Sequence, residues 1–232
     1  AANFRLNNWY YVFLPRTLPE RWAGILVSFA TVVPAVVLAE HALDAAGVGR
    51  GWRARPISLG LADVRWYAVF GALATAAVLV WPLHLYPLIW GSLLLICDPI
   101  VYRKRRELSL LADVERGDWS RIARLMLGGV GIGFLWETYN HWARGKWIYT
   151  VPLLEDLKWF EMPPLGFVGF PFFALQAWAM YHARPRSSPP AVLFALAFSV
   201  VTLLGMERYT ISSTVPPTSV WERASTDESA RL

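Results

Sequence analysis

Long apolar runs separated by short polar loops dominate the chain. Crossing about 30 Å of hydrocarbon takes about 20 mostly apolar residues in a helix, and six runs approach that length. The first extends from about Trp22 to Leu38 and carries Pro34, which is expected to kink it rather than stop it. The second runs from about Trp66 to Trp81, Pro82 turns the chain, and the third follows from about His84 to Cys97. These two are short, so the turn Trp81–Pro87 is expected at a membrane surface. The fourth covers about Ile122 to Trp142. The fifth follows Pro163 and Pro164 and ends near His182, and the sixth runs from Pro190 to about Met206. The pattern predicts an all-α fold, a polytopic integral membrane helix bundle with about six transmembrane helices forming a single transmembrane domain over 1–232.

Between the runs lie segments too short or too polar to cross. Residues 1–21 read as an interfacial N-terminal segment, with Trp9, Tyr10 and Tyr11 of Asn7–Leu14 suited to a headgroup-level anchor. In the basic loop 98–121, Glu107–Arg116 mixes charge with leucines and predicts a short amphipathic surface helix. Asp118 or Ser120 can then cap the fourth helix. A Trp-rich loop follows over 143–164, and 219–232 is expected to be a mobile tail.

Composition narrows the class. Hydrophobic residues make up 56%, with 13 tryptophans and only 17% charged residues, against roughly 25% charged in a soluble domain. A soluble globular domain, a disordered chain and a nucleic-acid reader are thereby disfavoured. One cysteine excludes a disulfide framework or a thiolate metal cluster. The net charge of +5 changes the picture little, because the basic residues sit in loops rather than on one face. Loops after the first, third and fifth helices hold 12 of them against 9 on the opposite side. The run Arg103–Arg106, directly after a spanning helix, places its loop in the cytoplasm and both termini outside. The first residues show no basic stretch leading to an apolar region and a small-residue cleavage site, so insertion is expected to rely on the first span.

Candidate chemistry concentrates between Gly133 and Phe173. Glu137, Asn140 and His141 fall on one face of the fourth helix by their three- and four-residue spacing, about one turn from its outer end. Partial dehydration there favours the protonated acid. Trp136, Trp142, Trp147 and Trp159, with Tyr149 and Phe160, supply an aromatic wall whose faces can stabilise a developing cation. On this reading Glu137 donates a proton to a greasy substrate, Asn140 and His141 orient it, and Glu161 stands at the entry to the fifth helix. The competing reading is an aromatic belt, with Glu137 bonded to a neighbouring helix. His84 with Tyr86, and Glu207 with Arg208 and Tyr209, lie on the same predicted side, where a shared pocket is possible. Glu207 and Arg208 read more simply as solvated interfacial charges.

The four histidines show neither an i, i+4 pair nor an H-E-x-x-H, so no metal site is predicted. His41 with His182, and His84 with His141, form one pair on each side that can bracket a haem or pigment. Single hydrogen-bonded histidines are the simpler reading, and Cys97 reads as a core thiol. Gly129 and Gly133, among Gly128, Gly129, Gly131 and Gly133, form a small-xxx-small pair for close helix packing, inside the bundle or between subunits. Asp98-Pro99 reads as a helix stop beside a positive-inside anchor, with an anionic headgroup site as the alternative.

The set Trp136-Glu137-x-x-Asn140, Lys146-Trp147-Ile148-Tyr149 and Phe160-Glu161-Met162-Pro163 resembles uncharacterised bacterial polytopic membrane proteins, which implies a multi-pass protein of a bacterial inner (cell) membrane. A Trp-rich motif leading to a proline-started, Phe-rich helix also distantly resembles the membrane lycopene-cyclase domains of carotenoid biosynthesis, over about the last 70 residues of the bundle. Those domains carry Pro-x-Glu-Glu where this chain reads Pro163-Pro164-Leu165-Gly166, so Glu161 is the acid left near that position. The resemblance implies isomerase- or cyclase-type chemistry on an isoprenoid. The expectation is therefore a membrane protein that binds or acts on a lipophilic, isoprenoid-like molecule at the outer ends of helices four and five. Its partners would be membrane lipid and that small molecule, not nucleic acid, and the cofactor is left unspecified. The alternative is a non-catalytic accessory subunit of a larger membrane redox or pigment-protein complex. A transporter is disfavoured, since no second half repeats the first.

Overall fold

The computed structural model describes residues 3–150, 157–185 and 187–215. Helix α1 (Asn3–Leu6), strands β1 (Trp9–Val12) and β2 (Leu14–Pro15) precede α2 (Leu18–Ala30) and α3 (Val32–Ala45). Then come α4 (Leu61–Val80), α5 (Pro82–Leu85), α6 (Ile89–Lys104), α7 (Leu110–Glu115) and α8 (Ser120–Trp142). Strand β3 (Lys146–Tyr149), α9 (Gly169–Ala183), α10 (Pro189–Tyr209) and β4 (Thr214–Val215) complete the order. The fold is mostly helical, as the apolar runs predict.

Helices α2 and α3 form one 28-residue run, Leu18–Ala45, interrupted at Thr31. Pro34 cannot donate to the carbonyl four residues back, and the Thr31 hydroxyl donates to Ser28 O at 2.7 Å across the break. Four helices are long and apolar enough to cross a membrane: Leu18–Ala45, Leu61–Val80, Pro82–Lys104 and Pro189–Tyr209. Helices α8 and α9, the expected fourth and fifth spans, are not among them. At 1.5 Å per residue, the 15 residues of α9 reach only about 22 Å. Helix α8 has 23 residues, but Arg121, Arg124, Glu137, Asn140, His141 and four glycines dilute its apolar character.

Packing explains why these two helices are the least lipid-like. Helix α9 lies among α3, α6 and α8 and buries Ala174, Leu175, Gln176, Ala177, Trp178 and Ala179. Gly129 and Gly133 of α8 are the contact surface: a Cβ on Gly129 would sit 2.6 Å from Phe170 O, and one on Gly133 would overlap the Phe170 ring. This glycine pair is spent inside the bundle, not between subunits. Gly71 does the same for α4 against Ser92 of α6. Arg124, inside the fourth apolar run, is buried and donates through Nε and Nη2 to Glu40 Oε1 of α3 at 2.9 and 2.7 Å, with Asp44 Oδ1 at 3.2 Å.

One end of the bundle is basic. The chain does not stop at Asp98-Pro99: α6 continues through Pro99 to Lys104. Asp98 is buried and accepts from Leu110 N (3.0 Å), Leu111 N (2.7 Å) and Ser109 Oγ (2.8 Å), which caps α7. The expected surface helix is thus short and tucked into the core, with Leu110 and Ala112 buried. Asp118 Oδ1 accepts from Ser120 N at the start of α8, at 3.2 Å.

The opposite end is capped by strands. Asn7–Leu14, expected as a headgroup anchor, forms β1, which pairs antiparallel with β3 so that Trp9 faces Tyr149 and Tyr11 faces Trp147. Strand β2 pairs parallel with β4, and Tyr11 N donates to Thr210 O at 2.7 Å. Backbone polar groups of three distant segments satisfy one another there. Glu207 is not a solvated charge: Arg21 grips it through Nε and Nη2, each at 2.7 Å, and Trp22 Nε1 adds a bond at 3.0 Å. That contact fastens α10 to α2, while Leu193, Phe194 and Val201 of α10 remain exposed. The tail 219–232 lies outside the described residues.

Candidate functional site beneath the strand cap

Helix α8 carries Glu137 and Asn140 one turn apart on the face that meets β3, and both are buried, at 0% and 1% exposure. Tyr149 OH donates to Glu137 Oε1 at 3.0 Å. The other carboxyl oxygen, Oε2, is buried without a hydrogen-bond partner among the described residues, and so is the neighbouring indole Nε1 of Trp147. Burial, and next the Glu137 charge, push the Tyr149 phenol well above its usual value, so it remains an O–H donor at neutral pH. Strand alternation puts Trp147 and Tyr149 on one face of β3 and the paired Tyr11 and Trp9 on the same face of β1. Trp9 Nε1 donates to Tyr11 OH at 3.3 Å, and burial raises the Tyr11 phenol as well. Four aromatic side chains and one carboxyl thus make a polar nest in which Trp147 Nε1 stands as the neighbouring donor to Glu137.

Asn140 has a different task. Its Nδ2 donates to Trp147 O at 2.8 Å and its Oδ1 accepts from Trp147 N at 2.9 Å. The amide thereby imitates a neighbouring strand and fastens β3 to α8, leaving Asn140 little capacity for a substrate.

The remaining expected site residues divide between other places. Glu161 and His141 meet just outside the nest: His141 Nδ1 is 3.7 Å from Glu161 Oε1, and Lys146 Nζ donates to the same oxygen at 3.2 Å. Glu161 bears electrostatically on Glu137, so the two acids do share a neighbourhood. Phe160, at φ +57°, lays its ring against His141 and Phe134, each at 5.5 Å between centroids. Trp136 points into the bundle, edge-on to Phe173 at 6.0 Å and Phe170 at 6.3 Å. Trp142 (75% exposed) and Trp159 (63%) face outward instead of lining the nest. His84 is exposed on the turn between α4 and α6, with no hydrogen bond or ion pair among the described residues tying it to Glu137.

The histidines keep separate local company. His41 Nε2 lies 3.8 Å from Glu40, and His182 Nδ1–H donates to Trp178 O at 2.9 Å. Among the described residues, no group of three or more His, Cys, Asp or Glu side chains is placed to hold a metal ion. Sequence reasoning missed Trp9 and Tyr11 as parts of the nest, and the pairs Arg124–Glu40 and Arg21–Glu207. The first of these pairs had a signal, since Arg124 interrupts the fourth apolar run and a charge in such a run is expected to pair. The strand pairing had none, because its residues are 140 apart at Trp9 and Tyr149 (149 − 9). In comparisons with known proteins, no family model, no curated protein and no solved structure matches this chain.

Proposed function

We propose that this is a multi-pass membrane protein that binds a lipophilic, isoprenoid-like molecule at its strand-capped end and presents Glu137 to it as an acid. The observation that carries the reading is the fully enclosed carboxyl of Glu137, held on one oxygen by Tyr149 among aromatic side chains. Phe134, Trp159 and Leu165 give the neighbouring surface an apolar edge that such a molecule can approach from lipid. Entry requires β3 to lift from α8, and Asn140 is the fastener. On this reading α8 and α9 also cross the membrane, sheltered by their neighbours, which makes six spans. The basic end faces the cytoplasm of a bacterial cell and the strand cap faces outward.

The test uses the full chain in lipid nanodiscs and a polyene alcohol as probe, followed by quenching of tryptophan fluorescence. Saturable quenching is expected, weakened at least tenfold in Glu137→Gln with the unfolding temperature retained. Equal binding by wild type and Glu137→Gln refutes the assignment. A second reading, a non-catalytic subunit of a larger membrane assembly, is favoured by the bare flanks of α10, where Phe194 is 72% exposed. Stoichiometric membrane partners on gentle extraction, with no bound lipophile, would favour it.

A further inference from the structure

The opposite, basic end holds a cavity that the Glu137 site does not use. Its volume is about 180 Å³, and it lies where four helices meet. Leu94 and Asp98 of α6, Leu111 and Val114 of α7, Ile122 of α8 and Leu175 of α9 form its walls. Asp98 brings no free polarity to it. Its Oδ1 accepts from Leu110 N and its Oδ2 from Ser109 Oγ and Leu111 N, so both oxygens are spent on α7. What remains of these walls is hydrocarbon. Protein interiors keep few voids larger than a water molecule, and an apolar cavity of about 150 Å³ stays dry and binds a guest such as benzene. This one therefore takes a short stretch of hydrocarbon rather than water.

Position selects the hydrocarbon. Among the lining residues Trp119 alone is exposed, at 40%, which puts the mouth beside its indole at the start of α8. A tryptophan there suits the headgroup level of a bilayer. From that level the cavity runs inward, because Leu175 stands eight residues (183 − 175), about 12 Å, before the end of α9. The same end of the bundle is cationic. Arg103 and Lys104 close α6 five and six residues beyond Asp98, about 9 Å along the helix axis, and both are exposed. Neither has a hydrogen-bond or ion-pair partner among the described residues. A lipid in its ordinary orientation meets these features in order, with its headgroup at the cationic level and its chain directed inward.

We infer that the cavity between α6, α7, α8 and α9 holds one acyl chain of an anionic lipid from the leaflet at the basic end. The chain passes Trp119 and runs toward Leu175, and the headgroup lies level with Arg103 and Lys104. The apolar walls supply the binding contact, and the two unspent cations select the anionic headgroup.

The experiment places the full chain in phosphatidylcholine nanodiscs doped with a phosphatidylglycerol that carries a photoactivatable diazirine on the upper half of one chain. Adducts are mapped by proteolysis and mass spectrometry. Label on residues 110–122 is expected to exceed, several-fold, the label on 193–201 of α10, where Leu193, Phe194 and Val201 are exposed. Phosphatidylcholine carrying the same chain should label 110–122 about fivefold less, the factor that one basic side chain near an anionic headgroup supplies. Val114→Phe and Leu94→Phe fill the cavity from two different walls, and each should bring the 110–122 label down to the α10 level with the unfolding temperature kept. Leu111→Met conserves volume and should retain the label. Wild-type label on 110–122 no higher than on α10, equal labelling by the two lipids, or label that survives both phenylalanine variants overturns the inference.

Discussion

Replacing Asn140 with aspartate separates a fastening role from a catalytic one with a change of one atom. The wild-type amide makes two bonds to the Trp147 backbone, at 2.8 Å from Nδ2 to O and 2.9 Å from N to Oδ1, at a position only 1% exposed. Asn140→Asp keeps the acceptor but puts a second oxygen where the donor stood, facing the Trp147 carbonyl. One buried hydrogen bond is lost and Trp147 O is left unpaired, which costs about 1–3 kcal/mol. Enclosing an uncompensated carboxylate adds to this, so the total is roughly 2–4 kcal/mol. Unfolding in detergent mixtures measures the loss, and amide hydrogen exchange at β1 and β3 locates it, since both strands should exchange faster. Protonating the new carboxyl at acid pH restores a donor and should recover part of the loss. A substitution that changes stability by less than 0.5 kcal/mol and leaves exchange at β3 untouched would refute the fastener argument.

Further outcomes follow from the same contacts. Arg124→Met should destabilise the protein by about 3–5 kcal/mol, because it leaves the buried Glu40 carboxylate without its arginine, whereas Glu40→Gln should cost less, because Asp44 still faces Arg124 at 3.2 Å. The double variant should cost less than the sum, which a double-mutant cycle in the same unfolding assay reads directly. Gly133→Ala should cost about 1–3 kcal/mol, since the added methyl overlaps the Phe170 ring and α8 must draw back from α9; Gly131→Ala, with open space at its Cβ, is the control and should gain about 0.5–1 kcal/mol from helix propensity alone. Arg21→Lys removes the two-pronged grip on Glu207 and should expose the α10 end to proteolysis, whereas unchanged digestion would show that α10 is held by other contacts. Tyr149→Phe takes the donor from Glu137 and should lower stability by about 1–3 kcal/mol without displacing β3, whose pairing is through the backbone.

The sequence by itself determined that the chain is helical and rich in membrane-compatible segments, and roughly where those helices lie, although their ends extend up to seven residues beyond the apolar runs, as at Ala45 and Lys104. Run length and hydropathy are properties of a local window, and for helices such as α4 and α10, little covered by protein, that window is nearly the whole of the physics. It also determined that Glu137 and Asn140 share a helix face, because a 3.6-residue repeat fixes which side chains are neighbours. Tertiary structure decided everything that depends on a distant partner. Only pairing across the chain turned Trp9–Val12 from an apparent interfacial anchor into a strand against Lys146–Tyr149, since four aromatic or apolar residues fit either setting equally well. Asn140 looked like a substrate ligand until its amide met the Trp147 backbone, and Glu207 looked solvated until Arg21 reached it. Helix α9 is short and central, and α8 is polar because protein rather than lipid surrounds much of it. A hydropathy window cannot contain that fact, because the neighbours that shelter a side chain are chosen by packing among helices far apart in the chain.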